Sequence, residues 1–146
     1  MSPASRTGLA IVALTGCLSY AAAAVAADYA GAISAYRRAH GLSAVRLDSR
    51  LDAVARRQAR AMAASGTVSH SVGGEFTLRV ASLRKAIAAE NIGAGFPTFS
   101  DMLKQWEAST GHRDNLLIRD ARRVGVAFVD NPKSPYRKFW AMVITN

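Results

Sequence analysis

The stretch S-T-G-H-R-D-N-L-L-I-R-D-A-R-R-V-G-V-A-F, Ser109 to Phe128, sets a histidine directly behind a Ser-Thr-Gly turn and closes on a β-branched run. His112 is one of three histidines in 146 residues, so its place at the mouth of a helix asks for a reason. A general base, a metal ligand and a helix-capping residue all fit the local sequence. Asn115 to Arg119 reads as a short helical turn. Val124 to Val129 and Phe139 to Ile144 are rich in β-branched and aromatic residues, and the turn-forming D-N-P-K-S-P-Y-R-K lies between them. The two runs are therefore expected to pair as antiparallel strands.

Helical periodicity dominates upstream. Tyr29 to His40, with apolar Ile33 and Tyr36, forms a first helix closed by Gly41. Asp48 is a good N-cap for a second helix that places Leu51, Val54, Ala55, Gln58, Ala59 and Met62 on one side and stops at Ser65-Gly66. Residues 67–97 are less regular, with a short helical stretch near Leu78 to Ala86. Phe99 to Glu107 forms a further helix that aligns Met102, Leu103 and Trp106 and is capped by Thr98 or Ser100. Trp106 and Trp140 read as core residues, His40 as an exposed helix end, and Asn91 and Asn115 as partners for loop backbone. The fold class is α+β, with helices flanking a small antiparallel sheet in one domain.

The first 27 residues read as an address. M-S-P-A-S-R leads into an apolar run from Leu9 to Leu18 and an alanine-rich stretch ending A-V-A-A-D, the layout of an export signal with the mature domain spanning residues 28–146. Cleavage is expected near Ala26 or Ala27, or before Cys17 in the lipobox-like L-T-G-C, which would leave a lipidated N-terminus. Cys17 is the only cysteine, so an internal disulfide is excluded. Gly16, Ser19 and Tyr20 interrupt the apolar run, and no later segment approaches the roughly 20 apolar residues of a membrane span. Nineteen Lys and Arg against ten Asp and Glu give a net charge of +9. The arginines are scattered, with little aromatic interleaving, so a solvated basic surface is expected and nucleic-acid binding is not.

Five blocks in order carry a family resemblance: A-R-R-Q-A-R-A-M-A-A-S-G-T-V-S-H-S, A-E-N-I-G-A-G, W-E-A-S-T-G-H-R-D-N-L-L, V-G-V-A-F and F-W-A-M-V. From about Ala30 to the C-terminus the chain resembles the CAP superfamily of cysteine-rich secretory proteins, antigen 5 and pathogenesis-related proteins, in its short, cysteine-poor bacterial branch. Gly125 falls thirteen residues after His112, as in the family. The resemblance implies an α-β-α sandwich and a surface cavity of two histidines and two glutamates. His70, Glu90 and His112 match three of these positions. The fourth holds Ser109 in place of glutamate, and Glu107 lies about 200° around the helix from it.

Two imidazoles and a carboxylate could bind zinc weakly, with a position left for a water nucleophile. The same three residues could equally form a hydrogen-bonded cluster, with Glu90 accepting from backbone amides, His70 fixing its loop and His112 capping its turn. No G-x-S-x-G elbow accompanies Ser69, Ser71 or Ser109, which argues against a serine hydrolase. Three function classes follow: an exported, monomeric binding module for a lipid or sterol-like apolar ligand, a metal-assisted hydrolase or protease, and a basic protein held to an anionic envelope surface. The missing glutamate favours the first over the second.

Overall fold

Asp48 starts the longest described helix as expected: its side chain accepts from the Arg50 N–H, and the helix (α2, Ser49–Ser65) ends at Gly66, whose N–H donates to the Met62 carbonyl. The computed structural model describes residues 29–146. The export signal expected over residues 1–27, with the lipobox-like stretch and Cys17, falls outside the described residues. A first helix covers residues 29–39 (α1) and gives way to a turn at Gly41. Phe99–Ala108 (α4) is capped by Thr98, whose hydroxyl accepts from the Asp101 N–H.

Strands β1 (Arg46–Leu47), β2 (Ala88–Ala94), β3 (Arg123–Asp130) and β4 (Lys138–Thr145) form one sheet in the order β1-β3-β4-β2. The β3–β4 pair is antiparallel, as the sequence indicates, with Val126 opposite Met142. Two findings correct the expected sheet. It is mixed, because the two-residue β1 runs parallel to β3. Residues 88–94, read as irregular, are a strand paired antiparallel with β4 from Ala88–Thr145 to Ala94–Phe139. Alanine, glycine, glutamate and asparagine have little intrinsic strand preference, so the ladder with β4 imposes the extended form.

Alternation along the strands divides the core. Trp140, Met142, Ile144, Val124 and Val126 pack with α1, α4 and the helix Thr110–Leu116 (α5) on one face. Phe139, Ala141, Val143, Ala127 and Ile92 pack with Leu51, Ala55, Ala59 and Met62 of α2 on the other. Helices thus cover both faces of the sheet, and the α-β-α sandwich holds. Trp106 and Trp140 are buried, and each indole N–H finds a carbonyl, Ile92 at 3.0 Å and Phe96 at 2.8 Å. Gly125 lets α2 lie directly on β3, since an added Cβ would collide with backbone atoms of Leu51 and Asp52.

Two helical segments also differ from expectation. The stretch near Leu78 to Ala86 is a helix over Phe76–Val80 (α3) followed by a 3-10 turn over Ala81–Leu83. It ends where Arg84 adopts φ 51°, a left-handed conformation that cannot continue a helix. The turn expected at Asn115 to Arg119 overlaps only the last two residues of α5, which begins at Thr110 and is separated from α4 by Ser109 alone. Gly111 weakens the local helical signal there, and the burial of Leu116 against the sheet compensates.

Candidate functional site

Strand β2 lies at one edge of the sheet, and its side chains alternate between the two helical layers. Glu90, in register with Val143, points to the α2 side, and Asn91, in register with Met142, to the α4–α5 side. The candidate site therefore straddles an edge strand.

On the α2 side, His70 comes from the loop between α2 and α3. Gln58 holds that loop by donating to the Ser69 carbonyl at 2.7 Å, and Gly73 passes so close that a Cβ would strike the Gln58 Oε1 atom. His70 Nδ1 lies 2.8 Å from Glu90 Oε1. Arg79 of α3 is buried and donates through Nη1 to Glu90 Oε2 at 2.6 Å and through Nη2 to Glu90 Oε1 at 2.9 Å. Nη2 also donates to the His70 carbonyl (2.9 Å) and Nε to the Gly74 carbonyl (2.8 Å), tying two points of the loop to one guanidinium. An ionised carboxylate only accepts, so His70 Nδ1 carries the hydrogen, and Nε2 is left on a side chain that is 55% exposed.

On the other side, Asn91 donates to the His112 carbonyl at 3.0 Å, and Asn115 donates to Asn91 Oδ1 (2.9 Å) and to the Glu90 carbonyl (3.2 Å). Together with the Trp106 indole on the Ile92 carbonyl, these bonds occupy acceptors along the outer edge of β2 and blunt it against strand pairing. Both asparagines serve backbone, as expected. His112 sits in the first turn of α5 and does not cap it, because the N-cap position belongs to Ser109, whose hydroxyl makes no capping bond. His112 Nδ1 is buried without a hydrogen-bond partner among the described residues. Burial first, and the nearby charge of His70 second, push its pKa below the usual histidine value.

The structure joins His70 and Glu90 directly, while Asn91, reaching from the other face of β2, holds the His112 carbonyl, and the His112 ring lies near enough to His70 to feel its charge. These residues do not fit a three-ligand zinc site. Both oxygens of Glu90 are taken by Arg79 and His70, and among the described residues no group of three or more His, Cys, Asp or Glu side chains could hold a metal ion. Glu90 accepts from side chains, not from the backbone amides expected for a purely structural cluster. Arg79 is the residue that sequence reasoning missed. An arginine in an irregular, basic segment reads as a solvated charge, and only its burial behind Glu90 reveals it.

A concavity lies on the α4 side of the sheet, a cleft of about 500 Å³ walled by Tyr29, Phe99, Leu103, Phe128 and Trp140. Phe99 and Trp140 meet in a tilted contact at 5.8 Å between ring centroids, and Phe128 and Trp140 likewise at 4.9 Å. The Lys138 ammonium stands over this wall, 4.1 Å from the Phe128 ring centre and 5.6 Å from that of Trp140, with Asp130 at 3.5 Å.

Comparison with known proteins agrees with this architecture. YkwD of Bacillus subtilis (strain 168), an uncharacterized protein, is 28% identical over 102 residues, which are 67% of this chain and 40% of YkwD. The chain thus spans about two fifths of the relative's length. An outer surface protein of Borrelia burgdorferi superposes with a TM-score of 0.71 at 17% identity, over 81% of this chain and 88% of that one. An extracellular protein of Bacillus anthracis str. Ames that contains an SCP domain gives 0.72 at 23% identity, over 85% and 41%. The sequence profile of the CAP group, the cysteine-rich secretory protein family, matches residues 30–144, nearly all of the described chain, and to that family the protein belongs.

Proposed function

We propose that this chain is an exported binding module whose ligand is a single-chain amphiphile with an anionic head, such as a fatty acid, held in the aromatic cleft. The observation that carries the reading is the pairing of a 500 Å³ apolar concavity with one cation at its wall. Pockets of a few hundred Å³ with apolar walls and a few polar groups suit small apolar ligands. Phe128, the partly exposed ring of the cleft, offers a surface to an acyl chain with the buried Tyr29, Phe99 and Trp140 rings behind it, and Lys138 offers an ammonium to a carboxylate. Lys138 is only loosely engaged by Asp130, at 3.5 Å, so a carboxylate on the ligand can compete for it.

Export is supported by the signal-like layout of residues 1–27, and no helix among the described residues is long and apolar enough to cross a membrane. The metal-assisted alternative is less well supported, because Glu90 is committed to Arg79 and His70.

Fluorescence titration with cis-parinaric acid tests the proposal. Saturable uptake is expected, weakened several-fold in Lys138→Gln and unchanged in His70→Ala. Absence of saturable uptake would end the reading, and loss of binding in His70→Ala would move the ligand to the other face of the sheet.

A further inference from the structure

The opposite edge of the sheet carries a different kind of site. In the parallel β1–β3 pair, Arg46 is in register with Arg123, which sets two cations side by side on neighbouring strands. Like charges directly opposite one another in a sheet are destabilising. Arg122, next in the chain, closes the group: its backbone carbonyl accepts from the Arg46 N–H at 2.9 Å. These three arginines and Ala44 line a cleft of about 280 Å³.

No carboxylate among the described residues stands within ion-pair distance of this group. Among the described residues, the ion pairs join Arg50 to Asp48, His70 and Arg79 to Glu90, and Lys138 to Asp130, so none involves Arg46, Arg122 or Arg123. Arg122 is nevertheless held in place, because its Nη1 donates to Ser43 Oγ (2.9 Å), the Arg119 carbonyl (3.2 Å) and the Ala121 carbonyl (2.8 Å). Its Nε and Nη2 have no partner among the described residues, and the same holds for the whole guanidinium groups of Arg46 and Arg123. The buried Arg37 guanidinium registers the local field, since its pKa is lowered by burial first and by the Arg122 charge second.

We infer that Arg46, Arg122 and Arg123 form a binding site for a phosphate group. Planar guanidinium forks match a tetrahedral oxyanion, with two donors meeting two oxygens, and an arginine cluster is the usual protein partner for phosphate. The site is distinct from the aromatic cleft, whose lining shares no residue with it. An exported protein meets such groups as free phosphate or as phosphodiester headgroups of anionic lipid, and the chemistry of capture is the same for both.

The test uses Arg46→Gln/Arg123→Gln, two exposed positions, beside Arg56→Gln/Arg57→Gln, which removes the same charge from the exposed face of α2. Pyrophosphate is titrated calorimetrically, and co-sedimentation is measured with vesicles of phosphatidylcholine and phosphatidylglycerol (3:1) against phosphatidylcholine alone. Pyrophosphate binding that falls roughly tenfold or more in the first variant only is expected. The same selective loss on phosphatidylglycerol vesicles would identify the lipid headgroup as the source, and its confinement to pyrophosphate would identify a soluble phosphate. Without phosphate, the first variant should melt no lower than wild type, because a repulsion has been removed. Equal loss in both variants, or no binding by wild type in either assay, would overturn the site.

Discussion

Arg79 and Glu90 form a bidentate ion pair with both side chains almost fully buried, 2% and 1% exposed. Such a pair is costly to halve, because the surviving charge stays in a medium that cannot solvate it. Arg79→Met is expected to cost about 3–5 kcal/mol, and Arg79→Met/Glu90→Gln less than that single change. Urea unfolding of both variants measures the difference. A single variant as stable as wild type would mean that the pair contributes nothing.

Gly125 predicts a second large loss. Its Cβ position coincides with backbone of Leu51 and Asp52, which cannot move aside as a flexible side chain can. The same junction carries a hydrogen bond from the Val126 N–H to Asp52 Oδ1 at 2.9 Å. Gly125→Ala should cost at least about 2 kcal/mol by chemical denaturation, through overpacking between α2 and β3. Gly111→Ala, where nothing lies within 4 Å of the added atom, is the matched control and should be neutral or stabilising.

Arg37 holds another junction without any carboxylate. Its buried guanidinium donates to the carbonyls of Ser43, Leu116, Ile118 and Ala121, joining α1 to the segment between α5 and β3. Arg37→Met leaves those acceptors without their donor and should destabilise by about 3 kcal/mol or more. A thermal melt within a few degrees of wild type would contradict that role.

The depressed pKa of His112 gives stability a pH dependence of known sign. The unfolded chain takes up the proton near pH 6.5, and the folded chain only below that. The contribution is complete above about 6.5 and is lost as pH falls from there through the folded value. Denaturation midpoints should drop on acidification from pH 7, and His112→Gln should flatten the drop. The Asp52 and Glu107 carboxyls, raised chiefly by burial, act in the opposite direction at lower pH and do not mimic it. An unchanged slope in the variant would contradict the assignment.

Helices α1, α2 and α4 and the β3–β4 hairpin were legible because their signals are local. Asp48, Thr98 and the period of Leu51, Ala55, Ala59 and Met62 act within a few turns of chain. Strand β2 was not legible, since its residues are extended only through β4, some fifty positions away. At the site, His70 and Glu90 could be paired through the family resemblance, but the cation behind Glu90 could not. Arg79 acquires its meaning from burial, and burial is a property of the assembled sandwich. The arginine row at β1 was hidden for the same reason, because only the register brings Arg46 beside Arg123.

Binding of an anionic amphiphile in the aromatic cleft is tested most directly by amide and indole NMR spectra of the domain over residues 28–146 titrated with decanoate. Saturable shifts are predicted at the Trp140 indole, whose N–H binds the Phe96 carbonyl, and at Thr98, Ser100 and Lys138 around the cleft mouth, with His70 and Glu90 unmoved. Shifts centred on His70, Glu90 and Arg79, or none that saturate, would contradict it.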